Sequence, residues 1–199
     1  MTMKKERTNI EIVCQKVLMH DASVFSIQWT LLPAQYAATL TPDFVLERYF
    51  SYLRRFTLSL VRPAWTENGL EFRLLSTKLH LLAFSAPVHS SEGGVDSLTL
   101  HICGGPFVQS KLCDRGRFSF ITGIISGGVK VTVQLAEYHP RLLGSTTPGR
   151  FRKNLYRLTQ AYIHKLVTTR FLAVLYRDLA GEKVSFTIVS ARIQAGEDI

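Results

Sequence analysis

Residues 118–138 read FSFITGIISGGVKVTVQLAEY and residues 148–179 read PGRFRKNLYRLTQAYIHKLVTTRFLAVLYRDL. The first stretch is an antiparallel hairpin in pattern. Phe118 to Ile125 and Val129 to Tyr138 are divided by Ser126-Gly127-Gly128, and in the second strand Val129, Val131, Val133 and Leu135 form one stripe while Lys130, Thr132 and Gln134 face the other way. The second stretch has a helical period. Pro148 stands where a missing N–H costs nothing, with Thr146 or Thr147 as cap. Phe151, Leu155, Leu158, Tyr162 and Leu166 lie along one side, and Arg150, Lys153, Arg157, His164 and Lys165 along the opposite one. Such a helix runs roughly 45 Å, enough to cross a small sheet. After residue 167 the stripe drifts, because Phe171 and Leu175 fall nearer the basic side, which calls for a bend or a second partner. Gly181 is the expected stop.

Outward from this pair, further strands are legible. Phe25, Ile27, Trp29 and Leu31 alternate with polar residues up to Pro33, predicting a strand whose bulky face anchors a core. Thr41-Pro42 is a helix start, and apolar spacing predicts a helix over 42–53 closed by Arg54 and Arg55. Phe56, Leu58 and Leu60 alternate toward Pro63. Leu70, Phe72 and Leu74 follow an Asn68-Gly69 hairpin turn. Leu79 to Phe84 reads as a strand, Ser90 to Gly94 as an exposed turn, and Leu98, Leu100 and Ile102 as one face of another strand. Ile10 to Met19 fits a strand or a short helix equally. Val184 to Ile188 fits a last strand or a short continuation.

The chain has 199 residues, 46% apolar and 20% charged, which predicts a folded α+β protein with a sizeable core. The expected organisation is a partly ordered amino-terminal extension over 1–23 and one domain over 24–199. Every apolar run is interrupted by Lys or Arg before the length needed to span a bilayer. The basic start MTMKKERTNIEI lacks the following apolar run of a secretory signal, so a cytoplasmic location is expected. Cys14, Cys103 and Cys113 make no even framework and are read as buried thiols. The net charge of +9 attracts anionic partners without selecting among them.

Chemical motifs are sparse. His101 and Cys103 share a strand face, with Cys113 near in sequence, but no third group completes a catalytic pair or a metal site. Glu137 and His139 share a face and read as a surface ion pair. Gly104-Gly105 and Gly127-Gly128 lack phosphate-cradle spacing and are turns. No metal and no cofactor is implied. Aromatic residues are spread over elements that should meet, a composition that suits either a filled core or an apolar pocket with a few orienting hydrogen bonds.

The order of strand, short helix, antiparallel strands and long terminal helix resembles the START/Bet v 1-like (SRPBCC) helix-grip superfamily over residues 24 to about 179. In that comparison Val24 to Leu32 looks like the first strand, Phe118 to Tyr138 like the last hairpin and Pro148 to Leu179 like the gripping helix. The resemblance implies a curved antiparallel sheet packed around a long carboxy-terminal helix, with a cavity for an apolar or aromatic ligand between them. It transfers no residue roles.

The leading expectation is binding of a hydrophobic small molecule or lipid in that cavity, with Trp29, Phe72, Phe118, Phe120, Tyr138, Phe151, Leu155 and Tyr162 as ligand contacts. A cyclase- or hydratase-like enzyme using the same cavity, with His101 as acid or base, is the first alternative. The second is a basic module in which Arg150, Lys153, Arg157 and Lys165 hold nucleic acid or an acidic membrane. Burial of Phe171 and Leu175 against a second copy would make a homodimer.

Overall fold

The computed structural model describes residues 8–109, 114–144, 147–181 and 183–199. Among the described residues, eleven strands form one curved, unclosed sheet: β1 Thr8–Leu18, β2 Val24–Leu32, β3 Val61–Thr66, β4 Gly69–Leu74, β5 His80–Phe84, β6 Val88–Glu92, β7 Val95–Gly104, β8 Arg117–Ile125, β9 Gly128–Tyr138, β10 Val184–Ser190 and β11 Glu197–Asp198. The order across it is β10-β1-β2-β9-β8-β7-β5-β4-β3, with β6 paired to β7 and β11 to β1. Neighbours are antiparallel except β1 and β10, which run parallel. Helix α1 spans Pro42–Phe56. A long terminal helix comprises α2 (Arg150–Tyr156), a π turn (Arg157–Ala161) and α3 (Tyr162–Ala180). A curved sheet wrapped on a long carboxy-terminal helix is the helix-grip arrangement.

Local chemistry explains several boundaries. Thr41 caps α1 by accepting from the Phe44 amide at 3.2 Å, Pro42 opens the helix, and Arg54 and Arg55 close it. The helix runs to Phe56, so the alternation of Phe56, Leu58 and Leu60 is not a strand. Leu58 and Ser59 instead take left-handed φ values of 50° and 63° in the turn that follows. Strand β3 begins at Val61 and contains Pro63, tolerated because β3 is a sheet edge. The Ser90–Gly94 stretch, read as a turn, is mostly β6, with Gly93-Gly94 as its hairpin to β7. At the β8–β9 hairpin a Cβ on Gly128, at φ 150°, would collide with the Leu32 carbonyl oxygen.

The inner face of the sheet, toward the helices, changes character across its width. One cross-strand row runs Leu98, Phe120, Val133, Gln28 and Cys14; the next runs Leu100, Phe118, Leu135 and Ser26. Strands β7 to β9 therefore offer aliphatic and aromatic side chains inward, while β2 offers Ser26, Gln28 and Thr30. This reverses the reading of β2. Its bulky stripe, Phe25, Ile27, Trp29 and Leu31, faces outward, because Ser26 and Gln28 share rows with the core residues of β9. Gln28 Nε2 donates to Ser26 Oγ at 2.7 Å and Thr30 Oγ1 to the Glu11 carbonyl at 2.8 Å, while Gln28 Oε1 is buried with no hydrogen-bond partner among the described residues.

Residues 8–18, read as part of an extension, lie between β2 and β10 and hydrogen bond to both. The carboxy-terminal segment returns over the outer face, where Gln15 accepts from the Ile193 and Gln194 amides and donates to the Gln194 carbonyl. That cover buries Gln15, Val17 and Ile27.

Candidate functional site

Between the inner face and the long helix lies a cavity of about 360 Å³. Tyr49 and Leu53 of α1 form one wall, Phe72, Phe84, Ile102 and Phe118 the floor, Leu135 and Tyr138 one end, and Tyr156, Gln160, Ile163, His164 and Val167 the roof. The floor is ordered by edge-on aromatic contacts. Phe118 meets Phe120 at 4.9 Å, and Phe72 meets Phe84 at 5.0 Å. The Tyr138 hydroxyl donates to the Phe107 carbonyl at 2.7 Å, tying the loop that carries half-exposed Phe107 to the rim.

Two polar groups interrupt this apolar lining. Gln160 Oε1 and His164 Nε2 are shut off from solvent and have no hydrogen-bond partner among the described residues. They project from adjacent turns into the same space. Burial first, and the neighbouring Lys16 charge second, push the His164 imidazole down to about 4, so the ring is neutral at pH 7. Its other nitrogen, Nδ1, lies 3.5 Å from Ser26 Oγ, which already accepts from Gln28. When the Ser26 hydroxyl donates to Nδ1, the imidazole proton stands on Nε2, facing the cavity. The pair then offers one acceptor and one donor to a guest.

The roof is shaped by the π turn, whose extra residue shifts the helical register between α2 and α3. Lys16 of β1, 7% exposed, donates its ammonium to the Ala161 carbonyl at the end of that turn. Burial is the main cause that pushes this amine down to about 8, with Lys165 and Arg157 adding repulsion against the opposing influence of Cys14. Burial also pushes the Tyr49, Tyr138 and Tyr156 phenols up, so they remain neutral donors.

Of the residues expected to contact ligand, Phe72, Phe118 and Tyr138 line the cavity. Phe120 is buried behind it against Tyr49 at 5.4 Å. Trp29 is on the outer face, with the Lys130 ammonium 4.4 Å from its ring centre. Phe151, Leu155 and Tyr162 are exposed rather than inward. The inward residues are instead Tyr156, Gln160, His164, Val167, Phe171 and Leu175, so the amphipathic stripe of the sequence points away from the sheet. Phe171 and Leu175 are 1% and 2% exposed within the chain's own core, which removes them as a surface for a second copy. The spacing 156-160-164-167-171-175 is a helical stripe in its own right, and the displaced Phe171 and Leu175 were its signal. Gln160 and His164 disguised it as polar.

His101 lies on the outer face, its amide bonded to Ser85 Oγ at 3.3 Å, while its neighbour Ile102 lines the cavity. The sheet therefore separates it from any guest there. Cys14 is buried and Cys103 exposed, against the reading of both as buried thiols; Cys113 and Thr146 lie outside the described residues. Thr147 makes no side-chain cap at α2, whose cap position is Gly149. Among the expected anion-binding residues, Arg150 and Arg157 are exposed, Lys165 is partly buried, and Lys153 pairs with Glu197 at 2.6 Å. Glu137 bonds Arg117, and His139 faces Asp21 at 3.6 Å. Asp21, Arg117 and Glu137 line, with His20, Met19, Phe25 and Ala136, an outer-face depression of about 470 Å³. No helix among the described residues is long and apolar enough to cross a membrane. The chain matches no protein-family model, no curated protein and no solved structure.

Proposed function

We propose that the protein binds one compact hydrophobic molecule between its sheet and its terminal helix, oriented by a hydrogen-bonding group at Gln160 and His164. The observation that carries this reading is the pair of unpartnered polar atoms facing an otherwise apolar cavity. A buried polar group without a partner costs about 1–3 kcal/mol, and a guest bearing an adjacent donor and acceptor satisfies both at once. The volume of about 360 Å³ sits near the small end of ligand pockets. A ring system or short acyl chain bearing an amide, a neutral carboxylic acid or a hydroxycarbonyl fits this description better than a long two-chain lipid.

Titration of ligand-stripped protein with an apolar fluorescent probe should give saturable one-to-one binding, and aromatic amides should compete better than the parent hydrocarbons. Leu82→Trp, which fills the cavity from its partly exposed wall, should weaken binding at least tenfold. Gln160→Leu should erase the preference for amides while retaining hydrocarbon affinity. Absence of saturable binding across amide, acid and hydrocarbon probes overturns the reading. The position of His101 behind the sheet gives no support to catalysis in this cavity through that residue.

A further inference from the structure

From the outward stripe on the first half of the long helix, we infer that this face docks onto an anionic lipid bilayer surface. Phe151 and Leu158 are each 78% exposed, Tyr162 and Ile163 more than half exposed, and Leu155 is also exposed. A helix that leaves its aromatic and aliphatic stripe in water while turning Gln160 and His164 inward has a face unused by its own fold. At about 100° per residue, Arg150 and Arg157 flank the stripe on one side and Arg152 on the other. All three are exposed.

The charge around the stripe selects the partner. Between Glu137 and Asp178 the sequence contains eight Lys and Arg and no Asp or Glu. An apolar strip bordered by long cationic side chains is the pattern of a helix lying in the plane of a membrane interface, its apolar face among the acyl chains and its cations at the anionic headgroups. A second copy meets this face badly, since a two-fold contact would set the same arginines against each other with no carboxylate from this stretch between them. Nucleic acid satisfies the arginines and leaves the stripe exposed. Docking also places Ile163, which belongs to both stripe and cavity lining, at the membrane surface, so an apolar compound dissolved there has a short route inward.

The test is co-sedimentation of the full chain with vesicles of pure phosphatidylcholine and of phosphatidylcholine containing about a third phosphatidylglycerol. No cavity ligand is added, so the outcome is independent of the binding reading above. Partitioning should favour the anionic vesicles at least tenfold and fall with salt. Leu158→Glu should reduce it at least tenfold. Arg150→Gln and Arg157→Gln should each reduce it about fivefold, the effect of one basic residue near a charged surface. In Phe151→Trp, emission should shift to the blue on adding anionic vesicles. Because these side chains are exposed, circular dichroism and melting of each variant should match the parent. Equal partitioning on both vesicle types, or none, overturns the proposal. So does a dimer without vesicles that Leu158→Glu dissociates, and so does tighter binding to duplex DNA that the arginine variants lose and Leu158→Glu keeps.

Discussion

The two halves of the long helix use the same kinds of residue for opposite purposes. From α2 through the π turn to the first turn of α3, Phe151, Leu155, Leu158 and Tyr162 stand in solvent, whereas in the rest of α3 Phe171, Leu172 and Leu175 are among the most deeply buried side chains. The π turn changes the helical register along the way, and Lys16 reaches across from β1 to its last carbonyl. Hydrophobicity along a helix reports that a face exists. What that face meets is decided by register and by the surface opposite.

The sharpest way to break this comparison is to make one truncation in both halves. Phe171→Ala removes a ring that Tyr49 meets edge-on at 5.1 Å and Tyr52 at 5.7 Å, and should cost about 3–5 kcal/mol. Phe151→Ala should change stability by less than about 0.5 kcal/mol. Urea unfolding of both variants at neutral pH measures the difference. Similar losses at both positions would mean that the amino-terminal half packs against the body as tightly as the other.

The legibility of this fold from sequence follows the same line. The β8–β9 hairpin, the strand at 95–104 and the start of α1 are written in local chemistry: period-two alternation, a Gly-Gly turn, and Thr-Pro at a cap. The expected sheet and terminal helix are present for that reason. Two faces were misread, those of β2 and of the long helix, and the cause is shared. The seam between them is polar, built from Ser26, Gln28, His164 and Lys16, and a rule that turns the bulkiest stripe inward inverts both partners of such a seam together. The strand–helix ambiguity at residues 10–19 could not be resolved from its own spacing, because β1 is set by pairing with β2 on one side and with β10, almost at the far end of the chain, on the other. Phe72, Phe118 and Tyr138 were legible as cavity residues, being aromatic residues on correctly read strands. Gln160 and His164 were not, since a polar side chain on a helix defaults to solvent.

The seam itself is open to titration. The His164 imidazole is held down at about 4, below the ordinary 6.5. Between those values the unfolded chain takes up a proton that the folded protein refuses, so stability should fall as pH drops from about 6.5 to 4 and level off below. The loss from this group is on the order of 3 kcal/mol. Comparing chemical denaturation of the wild type and of His164→Phe across that range isolates it. A variant with an unchanged slope would place His164 in water and the seam with it.

At the alkaline end Lys16 gives the converse experiment. Its amine is held down at about 8, against about 10.4 when unperturbed. The folded protein therefore sheds this proton first, and stability should rise between about pH 8 and 10.5. A gain on the order of 3 kcal/mol is expected. Lys16→Met should flatten the rise relative to wild type. A rise that persists would have to come from the exposed lysines, and the bridge from β1 to the π turn would then contribute nothing to holding the two helical registers together.

The smallest effect separates folding from contact. Arg150 and Arg157 stand on the exposed half with no carboxylate in the sequence from residue 138 to 177, and exposed charges contribute little to stability even when paired. Replacing both with Gln should move the urea midpoint by less than the equivalent of about 0.5 kcal/mol. A clear gain in stability would show that their mutual repulsion strains the helix, so that the amino-terminal half bears a folding cost as well as an exposed face. Unchanged stability, beside the loss expected at Phe171, assigns the cations and the outward stripe to a surface that the fold supports but does not need.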